Sequence, residues 1–544
     1  MSHRPYRRQL PTRPAMWTRA VVTASALLLL AACDSGPGPA SAGAAAPRSG
    51  GTLTFAVGSD AGCVDPQQVG SNDTIYSLRQ IVDSLTDQDP ATGKVVPWLA
   101  SSWDISPDAT TFTFHLRPGV TFSDGTPVNA QAVKDNFDAA LKLGAKATLA
   151  IGYLSGYAGT TVVDELTAAV RFHRPNAQFL QATSTFSLGL VSESSLRKTP
   201  DQRCAEGVVG SGPFVLSKYV ANQSITLQRR SGYEWGSSLW KKTGEAYLDT
   251  VVFTVIPESG VRSGSLQSGQ VDAIGSVGLA DESALKGSGV HLQARANPGV
   301  VFNLGLNNSR PLLRDPAVRR AILLAIDRRQ IADTVFPTTS KPATSILAST
   351  TPYYTNLSAQ VRFDATEAKS ALDGDGWRPG DDGIRVKDGS RLTLTVDWFA
   401  NAATNQPSLE LIQQQLKAVG VEITLRELPI AQVTQVQQSG DFDVLWGNLT
   451  RADPDILRTL YSTRLANTYR LPASTLDAVL DDQAATADTV KRQQLVTQAQ
   501  QLIAQNAYAI PVVELTTELG VARDVRDLGF EASSRIQLHD TWKS

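Results

Sequence analysis

The chain has 544 residues, 42% of them hydrophobic and 19% charged, with 50 Lys and Arg against 52 Asp and Glu. That is enough apolar content to bury a core and too much chain for one ordinary core, so two or more packed units are expected. A near-balanced charge with no long basic tract argues against nucleic acid as a partner.

The first elements concern location. Arg4, Arg7, Arg8, Arg13 and Arg19 precede any acid, and residues 20–32 carry no charge. Such a run is too short to span a bilayer and suits the apolar segment of a signal peptide at residues 1–32. It ends in Leu30-Ala31-Ala32-Cys33, which resembles the lipobox of bacterial lipoproteins. That resemblance implies cleavage before Cys33 and lipid attachment to its thiol, anchoring the protein on the extracytoplasmic face of the membrane. Residues 33–50 are rich in Gly, Pro, Ala and Ser and read as a flexible tether. Arg7-Arg8 leaves the export route open between general secretion and twin-arginine transport. Removing residues 1–32 takes five Arg and no acid, leaving 45 basic and 52 acidic residues, net −7. Cys63 and Cys204 then remain, and outside the cytoplasm two thiols are expected to be bridged.

Residues 52–57 alternate as a half-buried strand, with Leu53, Phe55 and Val57 on one face. A loop follows, then a helix from Asp73 whose Ile75, Leu78, Val82 and Leu85 share a face. Residues 111–116 alternate strictly, as one face of an antiparallel strand does. Asn129 can cap a helix running through Phe137. Asp315 is a second N-cap, with Pro316 at the first helical position, where its missing N–H costs nothing. Residues 391–399 read as a strand and Ser408 opens a helix that Gly420 ends. Residues 421–425 form a strand, 430–438 a helix and 442–446 a strand, the β-α-β-α-β order of an α/β layer.

Residues 97–138, PWLASSWDISPDATTFTFHLRPGVTFSDGTPVNAQAVKDNFD, resemble the signature of family 5 solute-binding proteins, the peptide/nickel-type binding lipoproteins of ABC importers. Gly210-Ser-Gly-Pro-Phe214, residues 315–327, residues 412–421 and Asp453-Pro454-Asp455 are similar to later motifs of that family, in the same order. The resemblance implies an α/β fold of two lobes with a hinge and a ligand cleft between them. Lobe I would comprise residues 51–296 with 512–544 returning to it, and lobe II residues 297–511. It implies capture of a peptide-like or other amphiphilic solute by a monomer that delivers it to ABC permease subunits, with no cofactor.

Other chemistry finds little support. There is no Gly-x-Ser-x-Gly, no His-Glu-x-x-His and no phosphate-binding Gly-Lys-Ser/Thr, and the chain has five His. Asp453 and Asp455 could in principle form a carboxylate pair, but Asp-Pro-Asp reads first as a turn with helix capping. The acidic, Gly-rich runs at 373–376 and 381–383 lack the spacing of a calcium loop, so no metal site is expected. A secreted hydrolase or a cell-envelope scaffold that kept the fold is the alternative. For the ligand grip, the strand ending in LWGNLTRADPD offers Trp446 as a stacking face and Asn448 and Arg451 as directional donors. Trp398 and Asn401 stand at the end of another lobe II strand, and Asn72 and Asp73 face them from lobe I, unless Asp73 merely caps its helix. In dipeptide-binding relatives an Asp three positions before Asp-Pro-Asp pairs with the ligand's amino group; here that position is Thr450. Residues 399–407 also lack the Arg that those relatives use for the ligand carboxylate.

Overall fold

The computed structural model describes residues 46–544 apart from 148, 400–401 and 430–431. The signal peptide, Cys33, the tether up to residue 45, and Asn401 therefore lie outside the described residues. Two large sheets organise the chain. The first has seven strands in the order His291–Ala296, Thr516–Val521, Ala273–Ile274, Thr52–Val57, Thr250–Val255, Ser224–Arg229 and Phe214–Val220. Thr52–Val57 runs parallel to both its neighbours, Thr250–Val255 and Ala273–Ile274. The second sheet has five strands, Glu422–Leu428, Thr393–Phe399, Val444–Thr450, Gly299–Leu306 and Ala509–Val513. Thr393–Phe399 is parallel to Glu422–Leu428 and to Val444–Thr450, through the crossover helix Asn405–Ala418. A four-stranded antiparallel sheet, Ala100–Ile105, Thr111–Leu116, Thr167–Phe172 and Tyr157–Asp164, adds a third layer.

Each sheet has its own core. Leu53, Phe55, Phe253 and Leu519 belong to the first, and Leu304, Val396, Leu409 and Ile412 to the second. The strict alternation of residues 111–116 puts Phe112, Phe114 and Leu116 into a third core with Phe137 and Phe179. Asn129 caps the helix Ala130–Leu143 by accepting from the Ala132 N–H. Asp315 caps Pro316–Ala325 in the same way, at Ala317. Gly420, at φ +89°, follows the helix end at Val419, where a side chain would be strained.

The first helix differs from its sequence pattern. It spans Asn72–Leu78 and stops before Val82 and Leu85. The carbonyls of Gln80 and Ile81 are taken instead by the N–H groups of Phe214 and Gly212. A Cβ on Gly210 would lie 1.9 Å from the Ile81 carbonyl oxygen, and one on Gly212 would lie 2.6 Å from that of Gln80. The Gly-Ser-Gly-Pro-Phe motif is thus the close backbone contact that ends this helix. Nearby, Cys63 and Cys204 form a disulfide across a sequence separation of 141. Among the described residues no helix is long and apolar enough to cross a membrane.

Candidate functional site

The chain crosses between the two large sheets twice. One crossing joins His291–Ala296 to Gly299–Leu306, and the other joins Ala509–Val513 to Thr516–Val521. They are tied together, because the Asn297 N–H donates to the Leu515 carbonyl at 2.7 Å and the Thr517 hydroxyl donates to Asn297 Oδ1 at 2.8 Å. Glu514 accepts from both the N–H and the hydroxyl of Ser349, each at 2.9 Å. The two halves also meet away from these crossings. Thr338 donates from N–H and hydroxyl to Glu282, Thr339 donates to Glu518 at 2.7 Å, and the Ala177 N–H donates to the Ala484 carbonyl at 2.8 Å. Burial raises the Glu518 carboxyl above its ordinary range.

Between the halves lies a cleft of about 1070 Å³. Ser59, Asp73, Arg262 and residues 276–281 wall one side; residues 334–337, Ala402, Thr404 and Leu411 wall the other, and Leu515 and Thr516 of the second crossing line it as well. The volume exceeds what a drug-sized ligand needs. Asp73 sits in the first turn of its helix rather than at the cap, which is Ser71, and its carboxylate accepts from the Ser59 hydroxyl at 2.9 Å. Arg262 spends its guanidinium on the carbonyls of Ile256, Pro257 and Ser276. A second cavity of about 370 Å³ also lies between the halves, where Gln88, Phe112, Leu180 and Gln181 face Tyr353, Asp453 and Arg492.

The strand Val444–Thr450 carries the other candidates, and the structure divides them. Trp446 is 3% exposed, stacks on Phe302 at 5.3 Å between ring centroids, and donates its indole N–H to Asn405 Oδ1 at 3.0 Å. Trp398 is buried in the same core cluster. Both tryptophans, expected at the cleft, are instead packing residues of the second sheet. Central strands covered on both faces bury side chains of either parity, so alternation could not say which way they point. Asn448 is half-buried, opposite the register shift between Val300 and Asn303. Asn72 stands at the helix start and accepts from Arg535 Nε at 3.3 Å. Arg451 leaves the strand end and lies over the ring of Tyr153, its Cζ 4.9 Å from the centroid, with Nη1 donating to the Thr459 hydroxyl at 3.2 Å. Its backbone N–H is fixed at the first crossing, on the Pro298 carbonyl at 3.0 Å.

Asp453 and Asp455 are buried and committed. Arg492 grips Asp453 with two bonds of 2.9 and 2.6 Å, and Asp455 pairs with Arg458 and accepts from Gln483. Burial works against the Arg492 charge, but the Asp453 carboxylate outweighs it and holds its pKa above the ordinary value. The pair closes a turn as well, since the Asp455 N–H donates to Asp453 Oδ1 at 2.8 Å. Sequence reasoning missed Tyr153 and Arg535, whose side chains meet Arg451 and Asn72 from hundreds of residues away, and Phe186, over which the Arg535 guanidinium lies.

Comparisons with known proteins agree with this architecture. The family described as bacterial extracellular solute-binding proteins, family 5 Middle, matches residues 94–469. The nickel-binding periplasmic protein of Escherichia coli (strain K12) is 25% identical over 452 residues, 79% of this chain and 84% of its own. The probable D,D-dipeptide-binding periplasmic protein DdpA of the same strain is 26% identical over 498 residues, 88% of this chain and 91% of its own. The fold is shared with NikA from Brucella suis in complex with Fe(III)-EDTA, at a TM-score of 0.79 and 23% identity, covering 91% of this chain and 100% of that one. It is also shared with the oligopeptide-binding protein AppA from Bacillus subtilis in complex with a nonapeptide, at 0.75 and 19%, covering 92% and 100%. These structural neighbours are two-lobed binding proteins. The chain belongs to family 5 of the bacterial extracellular solute-binding proteins, which capture solutes outside the cytoplasm for ABC importers.

Proposed function

We propose that the chain is a lipid-anchored binding protein that encloses a peptide-like or other amphiphilic solute between its lobes and presents it to an ABC permease, without covalent chemistry. The cleft of about 1070 Å³, walled from both sheets, carries this reading. Lobe I comprises residues 51–296 and the C-terminal return, and lobe II begins at residue 297 and includes the strand that ends at Val513. The protein acts as a monomer, tethered through Cys33 after loss of residues 1–32. Asn72, Asp73, Asn448 and Arg451 are the proposed contact residues, and Trp398 and Trp446 support them from the core. The names of the relatives, which bind nickel, D,D-dipeptides and glutathione, favour small peptides or chelates over sugars. Thr450 offers no charge to a free ammonium, and enclosing an unpaired ion costs several kcal/mol, so unmodified dipeptides are expected to bind weakly.

Mass spectrometry of the solute released from protein purified out of its native envelope tests the reading; repeated recovery of no solute, together with no binding to a peptide library, would refute it. Fractionation of cells making Cys33→Ser tests the anchor. The variant is expected in the soluble fraction, and full retention in the membrane would refute lipidation.

A further inference from the structure

A cavity of about 320 Å³ at the far pole of lobe II is lined by three arginines and by no carboxylate. The strands Gly299–Leu306 and Ala509–Val513 each have one end at a crossing; their other ends, paired at Gly305 and Ala509, lead to Asn308 and Tyr508 of its wall. No residue of this wall belongs to the cleft between the lobes. Arg319, on the helix Pro316–Ala325, is 7% exposed. Its Nε and Nη1 donate to the carbonyls of Asn506, Leu313 and Arg314 at 3.0, 2.7 and 2.9 Å, and Nη2 has no partner among the described residues. Tyr508 is 6% exposed, lies under the Arg319 guanidinium with Cζ 5.6 Å from its ring centroid, and likewise has no partner for its hydroxyl. Arg470 holds a φ of +52°, which a non-glycine residue seldom takes. It is kept there by donating to the carbonyls of Asn467 at 2.8 Å and Gln438 at 2.6 Å. Arg314 is exposed, and its side chain makes no hydrogen bond or ion pair among the described residues. The acids nearby are committed elsewhere. Asp315 caps its helix at Ala317 and stands 3.8 Å from Lys387, and Asp441 and Asp443 pair with Arg310. Asn308 Oδ1 is a buried acceptor without a donor.

Backbone carbonyls satisfy the N–H groups of Arg319 and Arg470 but leave their net charge in place, and a buried cation is costly until a counter-ion is supplied. We propose that this cavity is a second binding site, separate from the cleft, for the phosphoryl group of a small hydroxylated ester. Guanidinium forks with a hydroxyl donor beside them are the chemistry that recognises phosphate. Arg319 and Tyr508 are its buried donors, Arg314 and Arg470 supply further charge, and Asn308 Oδ1 accepts from a ligand hydroxyl. The volume lies at the lower end of the range for small-molecule pockets, which suits an ester of a few carbons. A free glycerol-type phosphate and a phospholipid headgroup both offer this chemistry.

The test uses the Cys33→Ser protein, so that no lipid anchor contributes, and compares it with Arg314→Gln and Tyr508→Phe in the same background. Arg314 is exposed and Tyr508→Phe keeps its ring, so both variants are expected to melt with the parent. Calorimetry with glycerol 3-phosphate, with glycerol as the uncharged control, reads the soluble source. Flotation with phosphatidylglycerol vesicles, against phosphatidylcholine vesicles, reads the headgroup. A dissociation constant below about 1 mM for glycerol 3-phosphate, weakened about tenfold or more in each variant, supports the site and assigns it to a soluble ester. Retention on phosphatidylglycerol alone, lost in both variants, supports the site and assigns it to a headgroup. Failure of both probes to bind, or binding that is unchanged in both variants, would overturn the proposal.

Discussion

Replacing Trp446 by Ala separates a packing residue from a ligand-stacking one. The indole is buried, stacked on Phe302 within the second core and bonded to Asn405. Truncating a buried Trp or Phe to Ala costs about 3–5 kcal/mol through lost transfer energy and the cavity left behind. Asn405, itself 2% exposed, would lose the indole donor, and removing one partner of a buried hydrogen bond adds about 1–3 kcal/mol. The expected loss is therefore about 4–8 kcal/mol, a large share of a typical stability of about 5–15 kcal/mol. Trp446→Phe keeps most of the ring and loses only the donor, so it should cost about 1–3 kcal/mol. Urea unfolding followed by circular dichroism measures both, with the shift in midpoint read at unchanged slope. Solute affinity is measured in parallel on the folded fraction. If Trp446→Ala shifts stability by less than about 1 kcal/mol while abolishing solute binding, the indole faces the ligand and its assignment to the core is wrong.

Asp453→Asn should destabilise by about 3–5 kcal/mol, because it leaves Arg492 buried without its bidentate partner; thermal denaturation checks this, and a change near zero would refute it. Reduction of Cys63–Cys204 should cost up to about 5 kcal/mol, from the loop of 141 residues it closes; melting with and without reductant measures it, and coincident curves would refute it. Asp83 is fully buried, accepts from the indole of Trp235 and the hydroxyl of Tyr233, and is pushed by burial up to about 7 despite Arg79. Its folded pKa thus exceeds its unfolded one, so its contribution is complete below the unfolded value and is lost as pH rises toward 7. The loss approaches about 4 kcal/mol at neutral pH and then levels off. Unfolding free energies measured from pH 4 to pH 8 should fall along this curve in the parent and lose that component in Asp83→Asn, and an identical slope in both would refute the assignment.

Local chemistry was the readable part of this sequence. The alternation of residues 111–116 and the caps at Asn129 and Asp315 each depend on neighbours a few residues away, and each is found where expected. The first helix was overestimated because its end is set by Gly210 and Gly212, more than a hundred residues on, which take the carbonyls a further turn would need. The candidate site divided along the same line. Arg451 could be picked out as a planar donor at a strand end, whereas Trp398 and Trp446 sit on strands whose two faces are both covered, so their parity carried no direction. Arg535 and Tyr153 have no local signature, since only the folded topology brings them beside Asn72 and Arg451.

The place of Thr516–Val521 in the seven-stranded sheet also governs the order in which the protein can be completed. That strand lies between His291–Ala296 and Ala273–Ile274, and among the described residues it is the only strand that pairs with His291–Ala296. All five strands of the other large sheet lie within residues 299–513. Lobe II therefore has its full set of strands while lobe I still has an open slot and an unpaired edge. The slot fills only after residue 521 has emerged, and residues 536 and 538 then bind back to Gln80. Pairings of such sequence separation form slowly, so a chain emerging from its N-terminus cannot close this sheet early.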